Sequence, residues 1–464
     1  MDLNLKNLFF SGKMTLPLVE GGKGIGASDG TSAGVWARAG GVGTFSGVSP
    51  ATYDENGEVN EIIYKGKTRK ERHQEYIDFS IEGSLEQARI AHETAANNGR
   101  IHMNVLWEMG GVEAILHGVL SRSRGLIHGI TCGAGMPYKL SEIAAKYKVY
   151  YHPIVSSSRA FHALWRRSFS KAREWLGSVV YEDPWRAGGH NGLSRQEDPT
   201  RPEDPEPRLL RLRQAMREVG LWNIPIVIAG GVWCLNEWVH ILENKDIAPV
   251  AFQFGTRPLL TQESPIPQEW KNKLLTLKPG DVWLNKFSPT GFYSSAVRND
   301  FLEELQGRSD RQISISRQQE SGLEAFTFGA RNRTVYVTPE DARKAHEWIK
   351  AGYTEAMLTP GKTIIFVESE RKENILTDQR ACMGCLSGCM FSNWSQEHGS
   401  TGYLPDPRSF CIQKTLLHAV RQGDMENQLM FAGSNVFRFQ QDPLYANRYI
   451  PTVEELIKHI LAGN

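Results

Sequence analysis

The sequence predicts an α/β protein whose larger part closes into a (β/α)8 barrel, a TIM barrel. Three observations carry the prediction. Eight apolar, β-rich runs recur between residues 14 and 275, helix-like stretches separate them, and eight such units in about 260 residues is the ordinary size of that barrel. The runs are rich in Val and Ile and apolar on both faces, as buried parallel strands must be. An open doubly wound sheet also alternates strand and helix, but eight repeats favour closure.

The first run is Met14 to Glu20, ending at Gly21-Gly22, and the second is Val42 to Gly47. Ile101 to Trp107, Leu126 to Gly133, Val149 to Ser156 and Ser178 to Trp185 follow, then Ile224 to Gly231 and Val250 to Thr256. Helical spacing of apolar residues is visible in Ser84 to Asn98, Val112 to Leu120, Lys139 to Ala145, Arg159 to Leu176, Arg208 to Val219 and Leu235 to Glu243. Two insertions follow C-terminal strand ends, the face on which barrel active sites sit. Ala51 to Glu75, with Lys65, Lys67, Arg69, Lys70 and Arg72, reads as a solvated charged loop. Ser194 to Arg208, with Pro199, Pro202, Pro205 and Pro207, reads as a stiff wall or lid. The rhythm stops near Thr276. Residues 1–276 are therefore assigned to the barrel and 277–464 to a C-terminal α+β extension, with helices at Ala342 to Ala351 and at Val453 to Leu461 behind a Thr452 N-cap, and a strand at Lys362 to Val367.

Composition removes whole classes. Lys and Arg number 53 and Asp and Glu 52, so the net charge of +1 lacks the footprint of a dedicated nucleic-acid binder. With 40% hydrophobic residues, 12 Trp and 19 Phe, global disorder is excluded. No apolar run approaches the ~20 residues of a membrane span, and Leu8-Phe9-Phe10 is too brief for a signal-peptide core. Six cysteines are too few for a disulfide scaffold, and three of them crowd into eight residues, which suits a reducing compartment. A cytoplasmic enzyme with a small-molecule substrate is expected, without membrane or nucleic-acid partners, and as a homo-oligomer.

Chemistry-bearing residues gather at strand ends. Strand seven ends Ala229-Gly230-Gly231 and strand eight ends Phe254-Gly255-Thr256. Turns after these two barrel strands are neighbours and frequently bind phosphate, because glycine lets backbone N–H groups approach an anion. The alternative is that each glycine only makes a tight turn. Strand six ends in Ala187-Gly188-Gly189-His190-Asn191-Gly192. An imidazole in a glycine-rich turn on the catalytic face suits proton transfer or stabilisation of negative charge, against the plainer reading of a loop histidine bonded to backbone. His102, His128 and His152 lie inside strands and read as satisfied core histidines.

Four segments in register, Ala39-Gly40-Gly41-Val42-Gly43-Thr44, Ala187 to Gly192, Ile228 to Gly231 and Gln253 to Thr256, resemble the motifs of the nitronate monooxygenase family, formerly called 2-nitropropane dioxygenases. Flavin-dependent enoyl-acyl-carrier-protein reductases share that barrel. The resemblance covers residues 14 to 300 and implies FMN as cofactor. It places Gly230, Gly231, Gly255 and Thr256 on the FMN phosphate, Gly22 and Asn104 near the flavin ring, Gly188 and Gly189 in the cofactor-binding turn, and His190 at the active-site histidine. Ser288 to Asn299 resembles the family's flavin-capping stretch. The implied activity is oxidation of alkyl nitronates with oxygen. The alternative is reduction of an enoyl thioester or another activated carbon–carbon double bond. An alternative of another class is a barrel-based RNA- or protein-binding module, supported only by the basic stretch Lys65 to Arg72.

The extension carries Cys382-Met383-Gly384-Cys385-Leu386-Ser387-Gly388-Cys389, with Cys411 following 22 residues later. Four thiolates are the ligand count of a [4Fe–4S] cluster and also of structural zinc. Iron–sulfur, zinc and free thiols all remain open. A cluster would fit a reductase fed by a redox partner protein.

Overall fold

The computed structural model describes residues 5–329 and 332–464. Its centre is a closed barrel of eight parallel strands: β1 Leu18–Glu20, β2 Val42–Ser46, β3 Arg100–Leu106, β4 Gly129–Gly133, β5 Tyr150–Val155, β6 Val179–Glu182, β7 Ile226–Ala229 and β8 Val250–Phe254. Each pairs with the next, and β8 pairs with β1 through Phe252↔Leu18, Gln253↔Val19 and Phe254↔Glu20 to close the ring. The expected α/β barrel with a C-terminal extension is the observed fold.

The first run is shorter in the barrel than its composition predicts. Lys13–Thr15 turns back on Leu8–Phe10 as an antiparallel hairpin, and only Leu18–Glu20 joins the ring. Pro17 explains the break, since it has no N–H to donate to a ladder. The hairpin plugs the N-terminal end of the barrel: Phe10 is buried with Val19, Val42, Val180, Val227 and Ala251. Beside it, Ser11 Oγ lies 2.9 Å from His102 Nε2 and 3.0 Å from His152 Nε2, and His152 Nδ1 lies 2.8 Å from Ser178 Oγ. His128 Nδ1 accepts from the Ile101 N–H at 3.0 Å. The three strand histidines are satisfied structural groups.

Six helices follow β1 to β6: α1 Gly30–Arg38, α2 Arg69–Ala95, α3 Val112–Arg122, α4 Leu140–Tyr147, α5 Ser158–Arg167 and α6 Pro205–Glu218. Short helical turns at Leu235–Trp238, Val239–Leu242 and Arg257–Leu260 take their place after β7 and β8. Two of the helices depart from expectation. Helix α1 is not among the expected helices although Ala33, Trp36 and Ala37 recur at helical spacing, and its contact with α2 is made through glycine: a Cβ on Gly34 would stand 2.4 Å from Thr94 Cβ, and one on Gly30 2.4 Å from the Gln87 carbonyl oxygen. Helix α2 begins at Arg69, so the charged segment is in part helix and not a loop. Thr68 and Glu71 close a reciprocal capping box there.

The extension folds back over the barrel mouth. A hairpin, β9 Val282–Asn285 and β10 Ser294–Val297, pairs antiparallel with the two-residue strand Gly189–His190 that follows β6. Helix Asp300–Asp310 leads into a sheet of Gln312–Ser314, Thr363–Val367 and Glu355–Leu358. That sheet packs on helix Pro339–Lys350 around Ile313, Phe326, Val335, Ile364 and Phe366. Helix Ser369–Arg380 precedes the cysteine segment, helix Ile412–Arg421 follows it, and the terminal helix Val453–Leu461 carries the expected Thr452 cap, closed as a capping box by Glu455. No helix among the described residues is long and apolar enough to cross a membrane.

Candidate active site

At the C-terminal ends of the strands lies a cavity of about 210 Å³. Its walls include Gly22 after β1, Asn104 of β3, Gly188, Gly189 and His190 after β6, Gly230 and Gly231 after β7, and Gly255 and Thr256 after β8. These nine residues, separate in sequence, share one space. Glycine is required at several of them. Gly22 lies on Asn104 so closely that a Cβ would come within 2.2 Å of Asn104 Cβ, while Gly230 and Gly231 adopt φ of +82° and +80°, where side chains are strained. A Cβ built on Gly255 meets nothing within 4 Å. The result is a cradle of backbone, the surface an anionic group can approach most closely.

Several wall residues carried no motif. Arg186 borders the cavity, and Asp183, itself buried, holds it: Asp183 Oδ1 accepts from the Trp185 and Arg186 N–H groups at 2.9 and 3.0 Å, and Oδ2 from the guanidinium. Phe431, Gly433 and Asn435 come from the extension. The Gly433 N–H donates to Thr256 Oγ1 at 3.0 Å, and Asn435 Nδ2 donates to the Gly231 carbonyl at 2.7 Å. Thr256 accepts there, so its own O–H proton is available to donate. No local pattern predicts this strap, because its partners lie about 170 to 250 residues earlier in the chain.

His190 sits on the strand that β10 holds in place. Its Nε2 is 2.6 Å from Ser288 Oγ, which is 2.8 Å from Thr290 Oγ1, and its ring meets Phe431 edge-on at 5.4 Å. Burial lowers its pKa to about 4, so at neutral pH the imidazole is uncharged and carries one N–H. Glu182, the last residue of β6, is driven the other way. Burial, reinforced by neighbouring Asp183, raises its pKa to about 8, leaving a protonated carboxylic acid at pH 7. His190 and Glu182 also border a second chamber of about 990 Å³, with Ile154 and Ala134 at the junction. Ser194, Gln196 and Glu197 of the proline-rich insertion line it, so that insertion does form a wall. Cys132 is buried in β4 and takes no part in the cavity's lining.

Cys382, Cys385 and Cys389 are buried beneath the loop after β3, and Cys411 caps helix Ile412–Arg421. The Gly110 N–H donates to the Cys385 carbonyl at 2.9 Å, and Cys385 and Leu386 reach the cavity wall. Among the described residues, no group of three or more His, Cys, Asp or Glu side chains is gathered around a single-ion position. The basic stretch is partly committed. Arg69 donates to the Gln379 carbonyl at 3.1 Å, and Arg72 to those of Arg380 and Cys382 at 2.9 and 3.0 Å. Two of the five cations offered for RNA instead hold the cysteine segment to α2.

A closed parallel barrel with a glycine-lined cavity at its mouth places the chain in a recognised structural class. The structure of FabK from Thermotoga maritima is similar over 96% of this chain and 91% of that one, at 14% identity and a TM-score of 0.53. Nitroalkane oxidase from Streptomyces ansochromogenes matches over 99% and 96%, at 14% identity and 0.52. The enoyl reductase domain of MlnA from Bacillus amyloliquefaciens matches over 96% and 93%, at 12% identity and 0.54. At these identities the likeness establishes the fold. No protein-family model and no curated protein matches the sequence.

Proposed function

We propose that the chain is an FMN-dependent oxidoreductase, acting on a small molecule admitted through the outer chamber. The observation that carries this reading is the convergence on one cavity, at the catalytic end of the barrel, of seven residues from three separate motifs together with Gly22 and Asn104. The cavity suits a flavin nucleotide: Gly230, Gly231, Gly255 and Thr256 form a backbone and hydroxyl cradle for a phosphate with the Arg186 cation at its rim, while Gly22, Asn104, Gly188 and Gly189 line the rest of the wall. FMN, when bound, supplies the exchange of an electron pair with substrate. The division at residues 276 and 277 enters the same proposal, with the barrel supplying the nucleotide turns and the extension closing the mouth.

The charge states of the site favour reduction of an activated carbon–carbon double bond. Reducing such a bond requires a proton delivered to carbon, and Glu182 is a buried acid that keeps its proton at neutral pH and faces both chambers. His190, neutral and fixed by Ser288, offers an N–H to a substrate carbonyl oxygen. The second reading is oxidation of alkyl nitronates with oxygen, in which the same N–H would hold a nitro oxygen. The similarity to nitroalkane oxidase keeps that reading in view. FMN-loaded protein is to be assayed in parallel for NAD(P)H-driven reduction of an enoyl thioester and for oxygen-dependent turnover of an alkyl nitronate. The reductive reading expects the first activity and little of the second. The reverse result replaces it, and neither activity with full FMN occupancy refutes both substrate assignments.

A further inference from the structure

The nucleotide site leaves the cysteine segment without a use. Three of its thiols are nearly sealed from solvent, with Cys382, Cys385 and Cys389 exposed by 6%, 9% and 8%. Folding brings the fourth to them. Cys385 and Ile412 line one cavity and Met383 and Cys411 another, so the cysteine segment and the start of the helix lie side by side, with the four sulfurs near enough to feel one another's charge. None is in a disulfide.

Four convergent thiols, three of them buried, could be plain packing, since free cysteine behaves as a small apolar residue. The donors around them argue otherwise. The Gly384 N–H donates to Cys382 Sγ at 3.4 Å and the Ser392 hydroxyl to the same sulfur at 3.1 Å. Backbone N–H groups of Phe391 and Ser392 face Cys389, and that of Lys414 faces Cys411. Cys411 is also the N-cap of helix Ile412–Arg421, where the unpaired amides of the first turn favour negative charge. Burial raises the Cys385, Cys389 and Cys411 thiols above their ordinary pKa, and these donors act the other way, toward the anionic form that a metal ligand needs; hydrogen bonds to sulfur also tune iron–sulfur clusters. Gly384, at φ +72°, makes the bend between the first two cysteines, and a Cβ there would stand 2.8 Å from both His73 and Trp394.

We propose that Cys382, Cys385, Cys389 and Cys411 are the thiolate ligands of a [4Fe–4S] cluster. Zinc sites more often join two separated C-x2-C pairs, whereas this segment has one such pair, with Cys389 and Cys411 following singly. A cluster takes one thiolate per iron. Its position gives it a use. Cys385 belongs to the wall of the 210 Å³ cavity, while Cys411 lines a separate cavity of about 1010 Å³ beside helix Ile412–Arg421. A cluster held between them stores one electron at a time. It gains the electron from a one-electron donor of the ferredoxin class, or from dithionite in vitro, and gives it to a one-electron acceptor of the flavin class in the 210 Å³ cavity, its four thiolate bonds intact.

The proposal goes beyond the flavin reading and is tested apart from it. The full chain is purified anaerobically and reconstituted with ferrous iron and sulfide, and iron, acid-labile sulfide, zinc and flavin are quantified on the same sample. The expected result is about four iron and four sulfide per chain, with a broad visible absorbance that dithionite bleaches and an electron paramagnetic resonance signal in the reduced state. Cys385→Ser and Cys411→Ser should lose iron and sulfide, while Cys234→Ser should retain both. One zinc per chain without sulfide overturns the proposal, as does folded wild-type protein that takes up neither metal. Iron and sulfide at full occupancy without flavin would leave the cluster standing and sink the nucleotide reading. Flavin without iron would do the opposite.

Discussion

His190 and Glu182 show how burial divides two titratable groups between roles. Both face the cavities, yet desolvation makes one a neutral imidazole and the other a protonated acid at pH 7. His190→Ala should lower turnover about 10²-fold or more while FMN stays bound, and unchanged steady-state kinetics would remove the histidine from the chemistry. For Glu182 the folded-state pKa of about 8 lies above the ordinary 4.5, so the native state holds a proton that the unfolded chain releases. Its contribution to stability is therefore full below about pH 4.5 and is lost as pH rises through about 8. The reductive rate should fall over the same upper window as the acid ionises, and Glu182→Gln should abolish that titration and slow the reaction at pH 7. A pH profile identical in the variant would contradict the assignment. Glycine and histidine positions were legible because their motifs are contiguous in sequence. The acidity of Glu182 was not, since it depends on what the fold places around it.

At the scale of elements, the eight strands were readable because buried parallel strands announce themselves as unbroken apolar runs. The strand ends were less so: the run at Met14 to Glu20 contains a hairpin arm and a barrel strand divided at Pro17. Helix α1 is only nine residues long, so Ala33, Trp36 and Ala37 give little period to read, and it meets α2 through Gly30 and Gly34. Gly34→Val should accordingly force the two helices apart and cost about 1–3 kcal/mol, measured by denaturant unfolding; no loss of stability would mean the helices pack less closely than described. The start of α2 was available in the Thr68-to-Glu71 spacing but masked by its charge. The matching box at Thr452 was read correctly, and Thr452→Ala should cost about 1 kcal/mol in the same assay.

At the scale of the whole molecule, the extension is part of the site. Hairpin β9–β10 fixes the strand bearing His190, and the 431–435 strap bonds Thr256 and Gly231. Arg257, whose side chain is fully buried, pairs with Asp442 at 2.8 Å beneath that strap. Asp442→Ala leaves the buried guanidinium without this carboxylate, its bonds to the Trp233 and Asn464 main-chain oxygens remaining, and should cost about 3 kcal/mol, with weakened FMN retention as the mouth loosens. Stability and retention equal to wild type would show that the extension is only an attachment. This scale was the least legible, because contacts across about 170 to 250 residues leave no local pattern. The account as a whole depends on a flavin nucleotide held by the glycine turns after β7 and β8, and the direct measurement is the flavin released on denaturing the purified chain. About one FMN per chain is expected for wild type, with little or none in Gly231→Leu, whose side chain would begin 2.7 Å from Arg186 Cδ. Folded wild-type protein that stays colourless after incubation with FMN, or a Gly231→Leu variant that retains it fully, would contradict the account.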